Sequence, residues 1–269
     1  MKIIKSKNKL IKLIDKEKKL GFIPTMGAIH LGHISLIKKA RRECNKTIVS
    51  IFVNKPQFNK KSDFLNYPRS LKRDVLTLKK NRVNYLYLPK FNEIYPKGHN
   101  KNIKISSFKK KLCGKFRPGH FESIVDVIER FIKIIKPKRI YLGNKDMQQL
   151  KIVEEFIKRK RIPTKVVGCK TIREKNGIAF SSRNLLLTKK EKVIASKIYN
   201  FLINNKKKLI NNINYLNDIK KIIFKIGAKK IDYIEKIDIN KITKPFKKKK
   251  KFRIFIAYYL GKTRLIDNI

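Results

Sequence analysis

The chain has 269 residues, 42% of them apolar, which is enough for one large core or two smaller ones and excludes a globally disordered chain. Its three cysteines, Cys44, Cys113 and Cys169, lie far apart with no C-x-x-C pair, which argues against a zinc site or a disulfide framework and suits reduced thiols in a reducing cytoplasm. The formal net charge is +51, but the excess is lysine spread along the whole chain, with no RNP, zinc-finger or basic-zipper pattern. Lysine, isoleucine and asparagine share AT-rich codons, so compositional drift accounts for the excess. No specific nucleic-acid partner is expected, only non-specific sticking at low salt.

Met1 to Leu20 is lysine-rich, and its apolar residues (Ile3, Ile4, Leu10, Ile11, Leu13, Ile14) fit a short amphipathic helix rather than a signal peptide. No later segment approaches the roughly 20 apolar residues of a membrane span, so a soluble, cytoplasmic protein without a membrane partner is expected. Strand signals follow at Leu20 to Pro24, Thr47 to Val53, Val83 to Leu88, Arg139 to Leu142 and Thr164 to Val167. They alternate with helical spacing at Leu31 to Cys44, Ser70 to Lys80, Phe121 to Ile135 (stopped before Pro137) and Met147 to Lys160. Repeated β–α units of this kind predict an α/β domain over 1–170, a Rossmann-like doubly wound parallel sheet with its ligand at the C-terminal strand ends.

The pattern changes from residue 171. Helices are predicted at Lys189 to Asn204 and at Leu216 to Ile226, the second stopped by Gly227, with strands at Lys230 to Ile237, Phe252 to Leu260 and Thr263 to Ile266. This reads as a smaller α+β domain with an antiparallel sheet over 171–269. The run Lys247 to Lys251 is expected to be a solvated turn. No internal repeat is present.

Four segments carry chemistry. The first, P-T-M-G-A-I-H-L-G-H from Pro24 to His33, joins a strand to a helix. Gly27 permits a tight turn and close ligand approach. His30 and His33, three apart, face one way at a helix N-terminus, where unpaired N–H groups favour a triphosphate. Imidazoles there can donate to phosphate oxygens as charge grows on a leaving pyrophosphate. In the second, Asn54 and Gln57 follow the predicted central strand and are followed by Tyr67-Pro68-Arg69. Their amides can bond a carboxylate or hydroxyl without adding charge.

The third segment, Gly143-Asn144-Lys145-Asp146-Met147-Gln148-Gln149, is another strand-to-helix junction. Lys145 can pair with phosphate, Asp146 can accept from ribose hydroxyls, and Gln149 can reach a substrate. In the fourth, Ser181, Ser182 and Arg183 can bind phosphate through several donors. Read alone, they are also a plausible cap before the helix at Lys189.

The H-x-G-H element resembles the HIGH motif of the nucleotidyltransferase superfamily, and the longer P-T-M-G-x-x-H-x-G-H resembles the pantothenate synthetase family. Ser50 to Phe58 is similar to that family's F-V-N-P-x-Q-F, with the proline displaced to Pro56 and Gln57 in place. Gly143 to Gln149 resembles G-E-K-D-x-Q-Q, with Asn144 for the glutamate. Thr171 to Asn184 resembles the KMSKS loop that closes over ATP, with Phe180 where Met or Leu is usual. Arg117 to Phe121 resembles R-P-G-H-F, followed by Ser123 and Asp126 in place of Gly and Thr. Leu260 to Asn268 resembles a closing L-G-x-x-R-L-I-D-N. The likeness runs in order from about residue 20 to the end.

The resemblance implies a ligase that condenses pantoate with β-alanine, using ATP and passing through a pantoyl-adenylate. It implies ATP contacts from Met26, Gly27, Ala28, Ile29, His30, Leu31, Gly32 and His33, and from Gly143, Asn144, Lys145 and Asp146. Ile172 would contact adenine through its backbone, with Phe180, Ser181, Ser182 and Arg183 closing over the nucleotide. His30, His33, Lys145 and Arg183 would be the catalytic phosphate donors. Gln57 and Gln149 would hold pantoate with Asn54 nearby. Mg2+ is expected on the phosphates and water, with Asp74 a candidate protein ligand. A homodimer is also implied. The rival readings are another nucleotidyltransferase, against which the two glutamines argue, a basic nucleic-acid-binding protein on a Rossmann-like scaffold, and an inactive relative.

Overall fold

Six parallel strands form the larger sheet: β1 (Lys2–Ile4), β2 (Leu20–Thr25), β3 (Lys46–Ile51), β4 (Tyr85–Tyr87), β5 (Arg139–Gly143) and β6 (Lys165–Cys169), in the order β1-β4-β3-β2-β5-β6. This computed structural model describes residues 1–100, 102–212, 215–242, 246 and 248–269. The central strands are apolar on both faces because helices cover both, as Phe22, Ile23, Ile48 and Val49 show by their complete burial. The chain steps outward from β2 through β3 to β4, then returns to place β5 on the other flank of β2. The topological switch point, where such sheets bind ligands, therefore lies between the C-terminal ends of β2 and β5.

Against one face lies the helix Leu31–Glu43, which buries Leu36, Ile37 and Ala40. Against the other lies His120–Ile135, whose Phe131 ring meets those of Phe22, Phe52 and Tyr87 at centroid distances of 5.4, 5.9 and 6.1 Å. That helix begins on Gly119, at φ +77°, a left-handed value glycine adopts without strain.

The N-terminus departs from expectation. Ile3 and Ile4 belong to β1, paired with Leu86 and Tyr87 of β4, and the helix covers only Lys7–Ile14. Two adjacent β-branched residues suit a strand and extend the sheet beyond β4, and Ser6, accepting from the Lys9 amide, starts the helix behind them. The helices Lys61–Leu65, Phe91–Ile94, Cys113–Phe116 and Lys206–Asn211 went unpredicted because one or two turns are too short to display a period.

The second sheet is antiparallel, β7 (Lys230–Asp238), β8 (Phe252–Leu260) and β9 (Thr263–Asn268), in that order. Along β8 the side chains alternate as a pleated strand requires. Ile254, Ile256 and Tyr258 pack under the helices Lys189–Asn204 and Tyr215–Ile226, while Phe255 and Ala257 join the core of the larger sheet. Thr188 and Glu191 form a reciprocal cap at the start of the first of these helices, and Gly227, at φ +124°, ends the second. β9 extends two residues beyond the prediction, through Asp267 and Asn268. Residues 248 to 251 are exposed, as a solvated turn would be, and Lys247 lies outside the described residues. The three cysteines are buried and unpaired. Among the described residues no helix is long and apolar enough to cross a membrane.

Candidate active site

At the end of β2 the chain reverses through Thr25, Met26, Gly27 and Ala28. Thr25 Oγ1 donates to the Ser50 carbonyl of β3 (2.7 Å) and accepts from the Gly27 amide (3.2 Å). Gly27 and Ala28 both have left-handed φ, +84° and +50°, and the second is strained for a residue with a Cβ. The strain is held by Asp74, only 2% exposed, whose carboxylate accepts from the amides of Ala28 (2.9 Å) and Ile29 (2.7 Å). A Cβ on Gly27 would sit 3.0 Å from that carboxylate. Asp74, expected as a magnesium ligand, thus has both oxygens committed to the turn. A carboxylate and a distant backbone turn cannot be matched from sequence spacing alone.

The helix Leu31–Glu43 starts at this turn with His30 as its cap. The His30 amide donates to Nδ1 of His33 (3.4 Å), which leaves Nε2 as the protonated nitrogen of a neutral His33. The two rings lie 4.0 Å apart, and a Cβ at Gly32 would come within 2.9 Å of the His30 ring. The glycine of H-x-G-H is therefore a steric requirement. Burial, then the Lys145 charge, lower the His30 pKa from 6.5 to about 4. Burial, then His30 and Lys145, hold His33 well below the usual histidine range. Both rings are neutral hydrogen-bond donors near pH 7, and His30 Nδ1 is buried without a partner among the described residues.

Lys145 reaches these rings because β5 lies beside β2. Its ammonium is 3.6 Å from the Asp146 carboxylate. The next residues diverge by helical geometry. Gln148 is buried, accepting from the Cys113 amide (3.0 Å) and donating to the carbonyls of Phe108 (2.9 Å) and Lys111 (2.7 Å). Gln149 lines the cleft, and its side chain has no hydrogen bond to another described residue.

Asn54 and Gln57 lie beyond β3. Asn54, 1% exposed, donates to Gln57 Oε1 and to the Ser123 carbonyl (3.1 Å each) and accepts from the Tyr95 hydroxyl (2.8 Å). Expected near the substrate, it is saturated by protein groups and fixes the Gln57 amide. Among the described residues Gln57 Nε2 has only the Met26 sulfur as a partner (3.1 Å), a weak acceptor that a better one can displace. Its carbonyl accepts from Arg117 (3.1 Å) and from His120 Nδ1 (2.9 Å), and Arg117 lies 2.8 Å from His120 Nε2. Burial pushes Arg117 down to about 10 and His120 well below its usual range. Two departures from the family pattern meet here, since Ser123 Oγ donates to the Pro56 carbonyl (3.0 Å).

The fourth segment forms the opposing wall. The Phe180 amide donates to the Ile172 carbonyl (3.0 Å) across a tight hairpin through Gly177, and the Phe180 ring stacks on His30 at 6.1 Å. Ser181 caps the following turn by accepting from the Arg183 amide (3.3 Å), and Ser182 Oγ reaches the Ala28 carbonyl (3.5 Å). Arg183 does not point into the cleft unpaired. It donates to both oxygens of Asp63 (3.1 and 2.9 Å) and lies 5.8 Å from the Tyr67 ring centre. Asp63 and Tyr67 had no assigned role in the sequence reading. Their sole signal was proximity to the Asn54–Gln57 segment.

These walls enclose a cleft of about 1110 Å³, room for a nucleotide and a second small substrate. It is lined by His30, His33, Gln57, Lys145, Gln149, Arg183 and neighbours, together with Met26, Gly32, Gly143, Asp146, Ile172 and Phe180. Ala28, Ile29, Leu31 and Asn144 stand behind it, shaping the two turns. Among the described residues no three His, Cys, Asp or Glu side chains gather to hold a metal ion.

The family model described as pantoate-beta-alanine ligase matches residues 2–269. The pantothenate synthetase of Sulfurihydrogenibium sp. is 40% identical over 265 residues, which are 97% of this chain and 95% of that protein. Among solved structures, a pantoate-beta-alanine ligase from Francisella tularensis, complexed with beta-gamma ATP and beta-alanine, superposes with a TM-score of 0.87 at 38% identity, covering 100% of this chain and 97% of that one. A pantothenate synthetase from Thermus thermophilus gives 0.91 at 30% identity, covering 100% and 99%. Matched by the family model over residues 2–269 and by relatives and solved structures over nearly their full length, the chain belongs to the pantoate–β-alanine ligase family.

Proposed function

We propose that this chain carries out its family's reaction, the ATP-dependent ligation of pantoate and β-alanine to pantothenate, in two steps within this cleft. A pantoate carboxylate oxygen attacks the α-phosphorus of ATP as the bond to pyrophosphate breaks, giving pantoyl-adenylate. The β-alanine nitrogen then attacks the acyl carbon, AMP leaves with the former carboxylate oxygen, and the nitrogen loses a proton. One observation carries the reading. Two neutral imidazoles and Lys145 converge at the switch point between β2 and β5, with the amides of Gln57 and Gln149 facing the same cleft.

His33 Nε2–H and His30 supply neutral donors, and Lys145 a cation, toward the phosphates, where charge builds on the leaving pyrophosphate. Gln57 and Gln149 hold pantoate by its hydroxyls and carboxylate, and Asn54 supports Gln57. Asp146 faces the ribose, and the Ile172 backbone and the Phe180 ring face the base. Ser181, Ser182 and Arg183 close over the phosphates, Arg183 exchanging Asp63 for phosphate. Mg2+ would supply charge neutralisation, and with Asp74 committed to the turn it would be held mainly by phosphate oxygens and water. The working division falls at 170/171, where the sheet ends and the closing arm begins. A homodimer and a cytoplasmic location complete the reading.

The test is release of pyrophosphate and AMP from Mg-ATP with pantoate and β-alanine omitted in turn. The reading requires pyrophosphate release to need pantoate, and amide formation to need β-alanine as well. Release indifferent to both compounds overturns it.

A further inference from the structure

The last strand reaches back into the cleft from outside. Asn268 in β9 is 2% exposed, and its amide nitrogen donates to the carbonyls of Asn144 (2.9 Å) and Lys145 (2.8 Å). Its side-chain oxygen accepts from Arg253 of β8 (2.5 Å). The chain end is fixed by a two-way backbone pair between Ile269 and Ile254 (3.0 and 3.1 Å). Its neighbour Asp267 faces the opposite way, taking Arg173 on both oxygens (2.6 and 3.0 Å), and Arg173 also donates to the Gly177 carbonyl (3.0 Å) of the closing hairpin. Two consecutive residues on opposite faces of one strand thus hold the two walls of the cleft.

We propose that Asn268 is a positioning residue that sets the Asn144–Lys145 turn, and with it the Lys145 ammonium, while Asp267 anchors the closing hairpin through Arg173. The proposal deepens the reading of Lys145 as a phosphate donor and rests on it. The chemistry explains the residue type. Only a carboxamide of this length presents two N–H bonds to a pair of carbonyls while offering an oxygen to a guanidinium. Aspartate has the same shape and keeps the acceptor facing Arg253, but it lacks both donors. The lysine turn joins a strand to a helix and tolerates small rotations. A shift of about 1 Å in a group that meets the reacting phosphates costs up to about 100-fold in rate.

The experiment compares the intact wild-type chain with Asn268→Asp by three readouts: Mg-ATP affinity, steady-state pyrophosphate release, and amide hydrogen exchange. The expected result is a kcat lowered about 10- to 100-fold with the KM for pantoate unchanged. Weaker Mg-ATP binding should accompany it, with faster exchange confined to residues 144–149 and full protection of β7 and β8. Unchanged exchange in that turn together with an unchanged kcat overturns the proposal. If the variant loses the whole small sheet, Asn268→Ser, which retains one donor, takes its place. It should fold and lose a smaller share of kcat, and an unaltered kcat in that folded variant overturns the proposal as well. If wild type binds Mg-ATP but ignores pantoate, the substrate reading falls. The exchange and affinity readouts still decide what Asn268 does.

Discussion

The two walls of the cleft handle their polar groups in opposite ways. On the sheet wall, His30 and His33 are neutral and Gln149 has no partner among the described residues. On the arm, the guanidinium groups are already satisfied, Arg183 by Asp63 and Arg173 by Asp267. A wall built on strand ends can leave donors unsatisfied, because the sheet and the Asp74-braced turn fix their positions. An arm read as closing over the nucleotide cannot, since an unpaired cation there would find a carboxylate anyway. On the proposed reading, the first wall is preorganised for phosphate and the second must exchange one anion for another as it closes.

The sharpest way to break that contrast is to remove a wall donor. His33→Ala should lower the rate of pantoate-dependent pyrophosphate release by about 10²–10³-fold without unfolding the protein. An unaltered rate would strip the wall of its assigned task. Next comes its brace. Asp74→Ala leaves the amides of Ala28 and Ile29 buried and unpaired and should cost on the order of 3 kcal/mol in urea unfolding, with the dependence on Mg2+ unchanged. A shifted Mg2+ dependence in a protein of full stability would return Asp74 to the metal.

Gln149→Ala should raise the KM for pantoate about tenfold, the worth of one or two hydrogen bonds, and leave that for ATP alone. Equal effects on both would place the amide at the nucleotide instead. The pH dependence tests the same wall. His30 titrates near 4 in the fold against 6.5 unfolded, so between those values the unfolded chain binds more protons. Stability should therefore fall as pH drops from 6.5 toward 4, by about 2–3 kcal/mol from this group. His30→Gln should flatten the slope in chemical denaturation at several pH values, and an unchanged slope would mean the ring is not held neutral. The smallest effect tests the arm. The half-exposed Arg183–Asp63 pair is worth at most about 1 kcal/mol, so Asp63→Asn should tighten Mg-ATP binding by about fivefold or less in calorimetry. Weaker binding would show that Asp63 is needed in the closed state, not displaced from it.

Motif residues on short local turns were legible before any coordinates. The histidine turn, the lysine turn and the glutamines each sit where a strand meets a helix, and strand ends announce themselves by β-branched runs and glycines. What side-chain chemistry could not show is which groups already have partners. Asp74, Asn54 and Arg183 were read from that chemistry, and each has partners far along the chain: the Ala28–Ile29 amides, Ser123 with Tyr95, and Asp63. A carboxylate that braces a turn looks like one that holds a metal until its partner is known. Ile3 and Ile4 were misread for the same reason, since only the open edge of β4 makes them a strand.

By itself, then, the sequence determined the alternation of strands and helices, the change to a smaller antiparallel unit and the place of the histidine and lysine turns at strand-to-helix junctions, because periodicity and turn chemistry act over a few residues. Tertiary structure alone decided which polar groups face the cleft and which are consumed in holding it. It placed β5 beside β2 so that Lys145 meets His30 and His33, and it brought Asn268 back to the Lys145 turn from 123 positions away. Satisfaction of a buried polar group depends on whatever packs against it, and packing joins residues that the order of the chain keeps apart.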